Sequence, residues 1–393
     1  MDNKSDAEKF LITIIIPTKD RYETLTDCLR TFEKLEYQDI FEVLVFDSSA
    51  NRSNFNIKEF KIKNIRYVHE EVSGFCETFS RSLDHATGKY VTIIGDDDAV
   101  LPALLDAASW AFQNNVDSIT PLLRAGYIWP GVTRQVGGAQ DADRLLIQKF
   151  TSKITKVEAK EELERVVSNV FQDFDKLPKI YHGVVRLSKM KEVKLKYGDY
   201  FIGSSPDISA AVALADIVDS HFIVDFPLTL PGSSPRSGAG TSLSGKHIGS
   251  LENSPLGPFS RIWPLNFPKI YTVQTMWAFS GTYVLLRSPS SSLFKSFKSD
   301  KLLAATLIYN LPNAVKILQQ ELKRQKINWP ILAYHSIGYV LKRARQLMNR
   351  ITRKGNYDLI VDKRHLGSIV GAQEITNMIV QKAENPFREK VEL

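Results

Sequence analysis

The stretch "VTIIGDDDAVLP" (residues 91–102) runs from a mostly apolar segment through a glycine into three consecutive aspartates, then returns at once to apolar sequence. A short apolar run of this kind suits a strand buried on both faces, as in a parallel sheet. Three like charges at its end repel one another, and burial raises the cost of keeping each ionised, so a cation is expected beside them. Hard divalent ions such as Mg²⁺ and Mn²⁺ take carboxylate oxygens, and are commonly held by one or two carboxylates plus the phosphates of a substrate. In extended backbone Asp96 and Asp98 project to one side and Asp97 to the other, which pairs the outer two on a metal. The alternative is a cap for the helix whose apolar residues begin at Leu101. A cap needs one aspartate, and three favour the metal.

Upstream, strands and helices alternate. "LITIIIP" (11–17) predicts a strand, and a helix follows from about Arg21, because Tyr22, Leu25, Leu29 and Phe32 recur at helical spacing. "FEVLVFD" (41–47), "NIRYVH" (64–69) and "YVTIIG" (90–95) predict three more strands. "FCETFSRSLDHATG" (75–88) predicts a helix closed by Gly88. This alternation implies a mostly parallel sheet with helices on both faces, in which ligands bind beyond the carboxyl ends of the strands. Three polar clusters fall at such ends: "PTKDR" (17–21), "DSSAN" (47–51) and "DDD" (96–98).

The 393 residues are 43% hydrophobic and 24% charged, the composition expected of a soluble globular protein rather than a disordered or membrane-spanning chain. The N-terminal ten residues are polar, and the apolar run after them is too short for a signal-peptide core. Two cysteines, Cys28 and Cys76, make no disulfide framework and lack zinc-site spacing, which fits a reducing cytosolic setting. The net charge of +7 is uneven: residues 301–393 hold 16 Lys and Arg against 7 Asp and Glu.

Beyond residue 120 the pattern loosens. "TKVEAKEELERVVSNVFQDF" (155–174) is a charged helical stretch, "YHGVVRLSKM" (181–190) can return to the sheet as a strand, and a small-residue helix begins near Asp207. The Gly- and Ser-rich segment 230–250 is either a flexible loop over a site or a linker. Within it His247, Arg236 and Lys246 either meet phosphate or face water. The hundred residues after Ser292 look helical and basic.

The order "IIIPTKDR", "VLVFDSS" and "HATGKYVTIIGDDDAVLP" resembles the nucleotide-sugar domain of the family 2 glycosyltransferases, over about the first 120 residues. Pro17, Thr18, Asp20 and Arg21 match that family's Pro-Thr-x-Asn-Arg-like turn, with Asp in place of the usual Asn. Asp47 matches its base-contacting aspartate, although Ser48 stands where a second aspartate is common. Ala86, Gly88 and Tyr90 match its Ala-x-Gly-x-Tyr signature, and Asp96 to Asp98 its metal-binding motif. Where the family often has Arg-Asn on the preceding helix, this chain has Phe79 and Ser80, with Arg81 as the nearest substitute.

The resemblance implies a GT-A type, Rossmann-like fold: a nucleotide-sugar half (1–120), an acceptor-binding half (121–285) and a basic helical C-terminal region (286–393). It implies sugar transfer with inversion from a nucleoside diphosphate-sugar to a glycan or lipid-linked acceptor, in surface polysaccharide biosynthesis. Pro17, Thr18, Arg21, Asp47, Arg81, Asp96 and Asp97 would contact the donor, and Asp96 with Asp98 would hold Mn²⁺ or Mg²⁺. Asp207 would be the base, Asp199 and Asp216 being weaker candidates; its alternative is a helix-start residue favoured by the macrodipole. Rival readings are a sugar nucleotidyltransferase, whose glycine-rich phosphate loop "PTKDRYETL" lacks, and a non-catalytic scaffold of the same fold.

In the C-terminal region Val340, Leu341, Ala344, Leu347, Met348 and Ile351 share one helical face, with Lys342, Arg343, Arg345, Arg350, Arg353 and Lys354 around the rest. Such a helix either packs on the catalytic domain or lies in an anionic membrane interface, which would place a cytoplasmic protein on the inner face of the membrane. No nucleic-acid reader motif accompanies the charge.

Overall fold

The computed structural model describes residues 9–50, 55–72, 74–133, 142–254, 256–352 and 358–388, side chains 350 and 351 excepted. The polar N-terminus up to residue 8, Asn51, Arg353 and Lys354 therefore lie outside the described residues, as do the side chains of Arg350 and Ile351.

Eight strands form the main sheet: β1 (Phe10–Thr18), β2 (Phe41–Asp47), β3 (Ile65–His69), β4 (Gly88–Ile93), β5 (Ser118–Pro121), β6 (Ile154–Lys156), β7 (Val184–Arg186) and β8 (His221–Val224). Their spatial order is β3-β2-β1-β4-β7-β5-β8-β6. β1, β2, β3 and β4 run parallel, as does β8 beside β5, whereas β7 runs against β4 and β5, and β6 against β8. The segment around Tyr181 thus returns to the sheet as expected, in the antiparallel sense.

Among the described residues twelve α-helices accompany the sheet. The first six are α1 (Tyr22–Arg30), α2 (Phe75–Asp84), α3 (Ala103–Gln113), α4 (Ala159–Ser168), α5 (Leu187–Tyr197) and α6 (Pro206–Ala215). The others are α7 (Gly238–Leu243), α8 (Val273–Leu285), α9 (Ser299–Tyr309), α10 (Ala314–Leu322), α11 (Trp329–Thr352) and α12 (Ile369–Lys382). Side chains alternate across a strand, so the unbroken apolar runs of β1 and β2 need cover on both faces. Ile12, Ile14, Ile16, Val43 and Val45 pack with Leu25 of α1 and Leu104 of α3. Ile15 and Leu44 face the other way, onto a cluster containing Leu83 of α2, Leu163 of α4, Met190 of α5 and Ile208 of α6.

The register levels the functional edge. Thr18 pairs with Asp47 and Asp47 with His69, while Ile15 pairs with Ile93 of β4. The three polar clusters therefore leave the sheet side by side.

Gly88 does something other than close a helix. α2 ends at Asp84, and Gly88 opens β4, where an added Cβ would lie 2.5 Å from the Thr13 amide nitrogen. The loop before it is tied down from below: Thr13 Oγ1 donates to buried Glu42 at 2.6 Å, and the Thr87 amide donates to the same carboxylate at 3.0 Å. Tyr90, wholly buried, donates to the Val116 carbonyl at 2.7 Å.

The C-terminal region divides. α9, α10 and α11 pack together, but Leu359–Arg364 pairs antiparallel with Arg144–Gln148, and α12 returns to the N-terminal half. There Gln373 donates to the carbonyls of Thr31 and Val100, at 3.0 and 2.6 Å. Residues 359–388 thus pack against two earlier parts of the chain, the strand Arg144–Gln148 and the segments around Thr31 and Val100. The apolar stripe of α11 is exposed at Val340, Leu341, Leu347 and Met348, so that face of the helix does not pack on the catalytic domain.

Two outcomes follow from these contacts. Gly88→Ala forces β1 and β4 apart, and a urea titration should show a loss of about 1–3 kcal/mol, the usual cost of overpacking. His221 is buried, with Nδ1 2.8 Å from Ser118 Oγ and Nε2 3.0 Å from the Lys176 carbonyl. The carbonyl only accepts, so Nε2 carries the proton and the ring is neutral. Burial pushes its pKa down to about 4 from 6.5. Below about pH 6.5 the unfolded chain then binds the extra proton, and stability falls until about pH 4. At pH 5 this loss is about 2 kcal/mol. Comparing urea unfolding of wild type and His221→Gln at pH 7 and pH 5 checks it; an unchanged pH slope would remove His221 as a source.

Candidate active site

The turn after β1 is built for its residues. Asp20 has φ of +55°, a left-handed conformation that Asn and Asp tolerate best among residues with a side chain, and its amide donates to Ser49 Oγ at 2.8 Å. Thr18, just before it, faces two strand ends at once. Its carbonyl accepts from the Ser48 amide at 3.0 Å, and its hydroxyl donates to Asp96 Oδ2 at 2.6 Å. Pro17, half-buried, pairs with Phe46 in the ladder and has no amide proton of its own to place.

Asp96, Asp97 and Asp98 are all buried, with residue exposures of 1%, 3% and 1%. The backbone turns at Asp96 and Asp97 instead of continuing extended, so the side-to-side alternation expected of the triplet does not hold. Asp96 and Asp97 converge on Arg21, which lies 2.9 Å from Asp96 Oδ1 and 3.1 Å from Asp97 Oδ1. Arg21 also donates to Ser234 Oγ at 2.7 Å. Asp98 points away, accepting from the amides of Gly95 at 2.5 Å and Gly232 at 2.6 Å and from the Tyr181 hydroxyl at 3.2 Å. The expected side-sharing of Asp96 with Asp98 is thus replaced by Asp96 with Asp97.

One guanidinium does not balance three buried carboxylates. Burial pushes the carboxyls of Asp96 and Asp98 above the usual range, and the neighbouring Asp97 adds to this; Arg21 pulls Asp96 back only in part. Asp96 Oδ1 makes no hydrogen bond, its contact with Arg21 being electrostatic and off the hydrogen-bond axis. Among the described residues no three His, Cys, Asp or Glu side chains form a ready metal cage. The donor set is nonetheless of the kind a hard, oxygen-seeking divalent ion takes: carboxylate oxygens whose negative charge exceeds the positive charge beside them.

Residues 229–243 cover the triplet, which answers the choice between a loop over the site and a linker. The Ser234 amide donates to Asp97 Oδ2 at 2.9 Å, and Gly232 lies so close that a Cβ there would sit 1.8 Å from the Asp97 carbonyl oxygen. Trp129 Nε1 donates to that same oxygen at 2.9 Å. Arg236 bonds the Asp20 carbonyl, at the rim of the site. His247 bonds Ser242 at 2.7 Å and lies tilted against Tyr271, 5.2 Å between ring centres, and burial pushes its pKa down. The Lys246 amide donates to the Thr241 carbonyl within the same segment.

Asp47 is wholly buried and accepts four donors: the Ser49 amide and hydroxyl at 2.9 and 2.5 Å, Tyr22 at 2.7 Å, and Tyr67. Burial alone would raise its pKa, but these bonds outweigh it and hold the carboxyl below the usual range. Phe55 stacks on Tyr22 at 5.5 Å between ring centres and lies 6.1 Å from Tyr67, giving this end of the site an aromatic wall.

Arg81 stands apart from this assembly. It is on the exposed face of α2, 3.6 Å from Glu77, whereas Phe79 on the inner face packs 6.4 Å from Tyr181. Asp207 is in the first turn of α6, half-buried, and accepts from the Ser205 hydroxyl. Asp199 bonds the Tyr200 amide at 2.7 Å, and Asp216 bonds Tyr197 at 3.3 Å and Ser290, which are packing contacts.

Sequence reasoning missed Tyr67, Tyr181, His182, Gly232 and Ser234. His182, at φ of +64°, places Nε2 3.5 Å from Asp98 Oδ2 and Nδ1 3.0 Å from Thr229 Oγ1. Burial pushes its pKa down to about 3, so the ring is neutral beside the triplet. Only the glycine and serines of "LPGSSPR", after a strand-like run, hinted at a close backbone approach.

The model of "Glycosyl transferase family 2" matches residues 13–151, which span the assembly just described except Tyr181, His182, the cover and α6. "Glycosyltransferase GlyG" of Streptococcus pneumoniae is 27% identical over 99 residues, 24% of this chain and 33% of that protein. The "PGL/p-HBAD biosynthesis glycosyltransferase" of Mycobacterium bovis is 27% identical over 143 residues, 35% of this chain and 55% of that protein. These alignments thus span between a third and about half of the relatives' length. Among solved structures, S. aureus TarS 1-349 in complex with UDP-GlcNAc aligns with a TM-score of 0.48 at 15% identity, over 82% of this chain and 79% of that one. Mannosyltransferase PcManGT from Pyrobaculum calidifontis, in complex with GDP-Man and Mn²⁺, aligns with a TM-score of 0.40 at 15% identity, over 93% and 86%. Residues 13–151, which build most of the strand-end site, are thus the part of the chain that matches glycosyl transferase family 2.

Proposed function

We propose that the protein transfers a sugar from a nucleoside diphosphate-sugar to a glycan or lipid-linked acceptor, with inversion, in surface polysaccharide biosynthesis. The observation that carries this reading is the convergence of Thr18, Arg21, Asp96 and Asp97 at the carboxyl edge of the parallel strands, where negative charge exceeds positive. The aromatic wall of Tyr22, Phe55 and Tyr67 beside Asp47 suits a planar base, and the guanidinium of Arg21 suits a phosphate.

In the proposed step the acceptor hydroxyl oxygen attacks the anomeric carbon from the face opposite the diphosphate. The bond from that carbon to the phosphate oxygen breaks, and its electron pair leaves with the diphosphate. Asp207 takes the acceptor proton. A divalent ion held by Asp96, with Asp97 or Asp98, would supply Lewis-acid stabilisation of the leaving diphosphate. Asp98 is the weaker ligand of the three, because its oxygens already take three donors. Arg21 offsets part of the charge of the triplet and turns to phosphate as the donor arrives.

Thermal melting with UDP, GDP and dTDP, each with and without Mn²⁺, tests the donor class. One of them should raise the melting temperature, by mass action on the folded state. In Asp96→Asn the Mn²⁺-dependent part of that rise should vanish; a rise that persists unchanged would take Asp96 out of the metal site. Asp207→Asn should keep the nucleotide-induced rise but lower kcat with the cognate donor by about 10²–10⁴-fold, the usual worth of a general base. Undiminished turnover would assign Asp207 to helix capping alone.

A further inference from the structure

α11 is apolar on two opposite sides. One side packs: Leu332 and Tyr339, seven residues apart and so on one face, are buried with Leu303 and Leu307 of α9. The opposite side carries Ile337, Leu341, Ala344 and Met348, at spacings of four, three and four, and faces out. Ile337 is 60% exposed, Leu341 64% and Met348 57%. Trp329 and Tyr334 are exposed on the same helix. A contiguous apolar stripe of this length marks an interaction surface.

Charge identifies what the stripe meets. Residues 311–352 contain eight Lys and Arg and one acid, Glu321, which is itself buried 2.7 Å from Arg324. Lys342 pairs with Asp173, but Lys316, Lys323, Lys326 and Arg345 are exposed, and Arg345 lies one turn beyond Leu341. α11 itself carries Lys342, Arg343, Arg345 and Arg350 and no acid, so the charge on the helix that bears the stripe is of one sign. Against a second copy of itself it would set cation against cation.

We propose that the outer face of α11 rests on a lipid bilayer carrying anionic headgroups. Its apolar stripe enters the boundary between headgroups and acyl chains, and its cations meet the lipid phosphates. Trp329 and Tyr334 have the apolar body and polar tip that favour this layer. Among the described residues no helix is long and apolar enough to cross a membrane, so α11 lies along the surface. The helix is about 36 Å long, and its outward apolar stripe from Ile337 to Met348 covers about 17 Å of it. This surface is argued independently of sugar transfer.

Sedimentation of the full chain with vesicles tests it, using phosphatidylcholine alone and phosphatidylcholine with a third phosphatidylglycerol. At low salt the chain should bind the anionic vesicles roughly tenfold better than the neutral ones, and high salt should weaken this. Leu341→Glu with Met348→Glu should lower binding at least fivefold while leaving the melting temperature unchanged, since both side chains already face water. Arg345→Gln should lower it less and flatten the salt dependence. No sedimentation with anionic vesicles at low salt, or equal binding to neutral vesicles, would overturn the proposal. Undiminished binding by the double variant would overturn it as well. A dimer in solution that the double variant abolishes, with no vesicle binding, would assign the stripe to a second copy instead.

Discussion

A single guanidinium, that of Arg21, stands against three buried carboxylates, and the arrangement of the site depends on it. Removing an ion from water costs several kcal/mol, and only close opposite charge and well-directed hydrogen bonds offset that. The chain meets the cost differently at each aspartate. Asp96 takes the Thr18 hydroxyl and Arg21, Asp97 takes Arg21 and the Ser234 amide, and Asp98 takes two backbone amides and a tyrosine. The donors come from the turn after β1, from the segment before β7 and from residues 232–234. Charge balance at one sheet edge thus fastens three distant parts of the sequence.

The same economy explains the covering segment. A backbone amide is a small donor that can approach closely only where nothing projects from its Cα, and Gly232 meets that condition against the Asp97 carbonyl oxygen. His182, neutral in its buried position, adds no charge to a site already crowded with it, while its Nδ1 holds Thr229 at the start of the cover. Asp47 is stabilised by a different route: four hydrogen bonds hold its carboxyl below the usual range, with no ion pair among the described residues. Two carboxylate environments, one starved of positive charge and one saturated with donors, therefore sit at neighbouring strand ends.

The far end of the chain obeys another constraint. α12 returns to the N-terminal half and spends its polar Gln373 on carbonyls that would otherwise go unsatisfied in the interior. α11 has no such second partner. Burying Leu332 and Tyr339 uses only one of its two apolar sides, and among the described residues nothing covers the other. Position in the sequence joins the two helices in one basic region, and packing separates them.

The central sheet was legible because its cause is local. Unbroken apolar runs at 11–17 and 41–47 require cover on both faces, and the polar clusters after them had to emerge at one edge once the strands ran parallel. The side chains that complete the site were not legible, because their causes are not local. Tyr181 and Gly232 reach Asp98 only after β7 turns antiparallel and the cover folds back, and no spacing in a single sequence encodes either event. The alternation argument for Asp96 and Asp98 failed for a physical reason. It assumed that the strand continues, whereas three adjacent carboxylates are better separated, and better supplied with donors, by a turn. Helical periodicity likewise found the stripe on α11 correctly, but periodicity reports that a face is apolar, not what covers it.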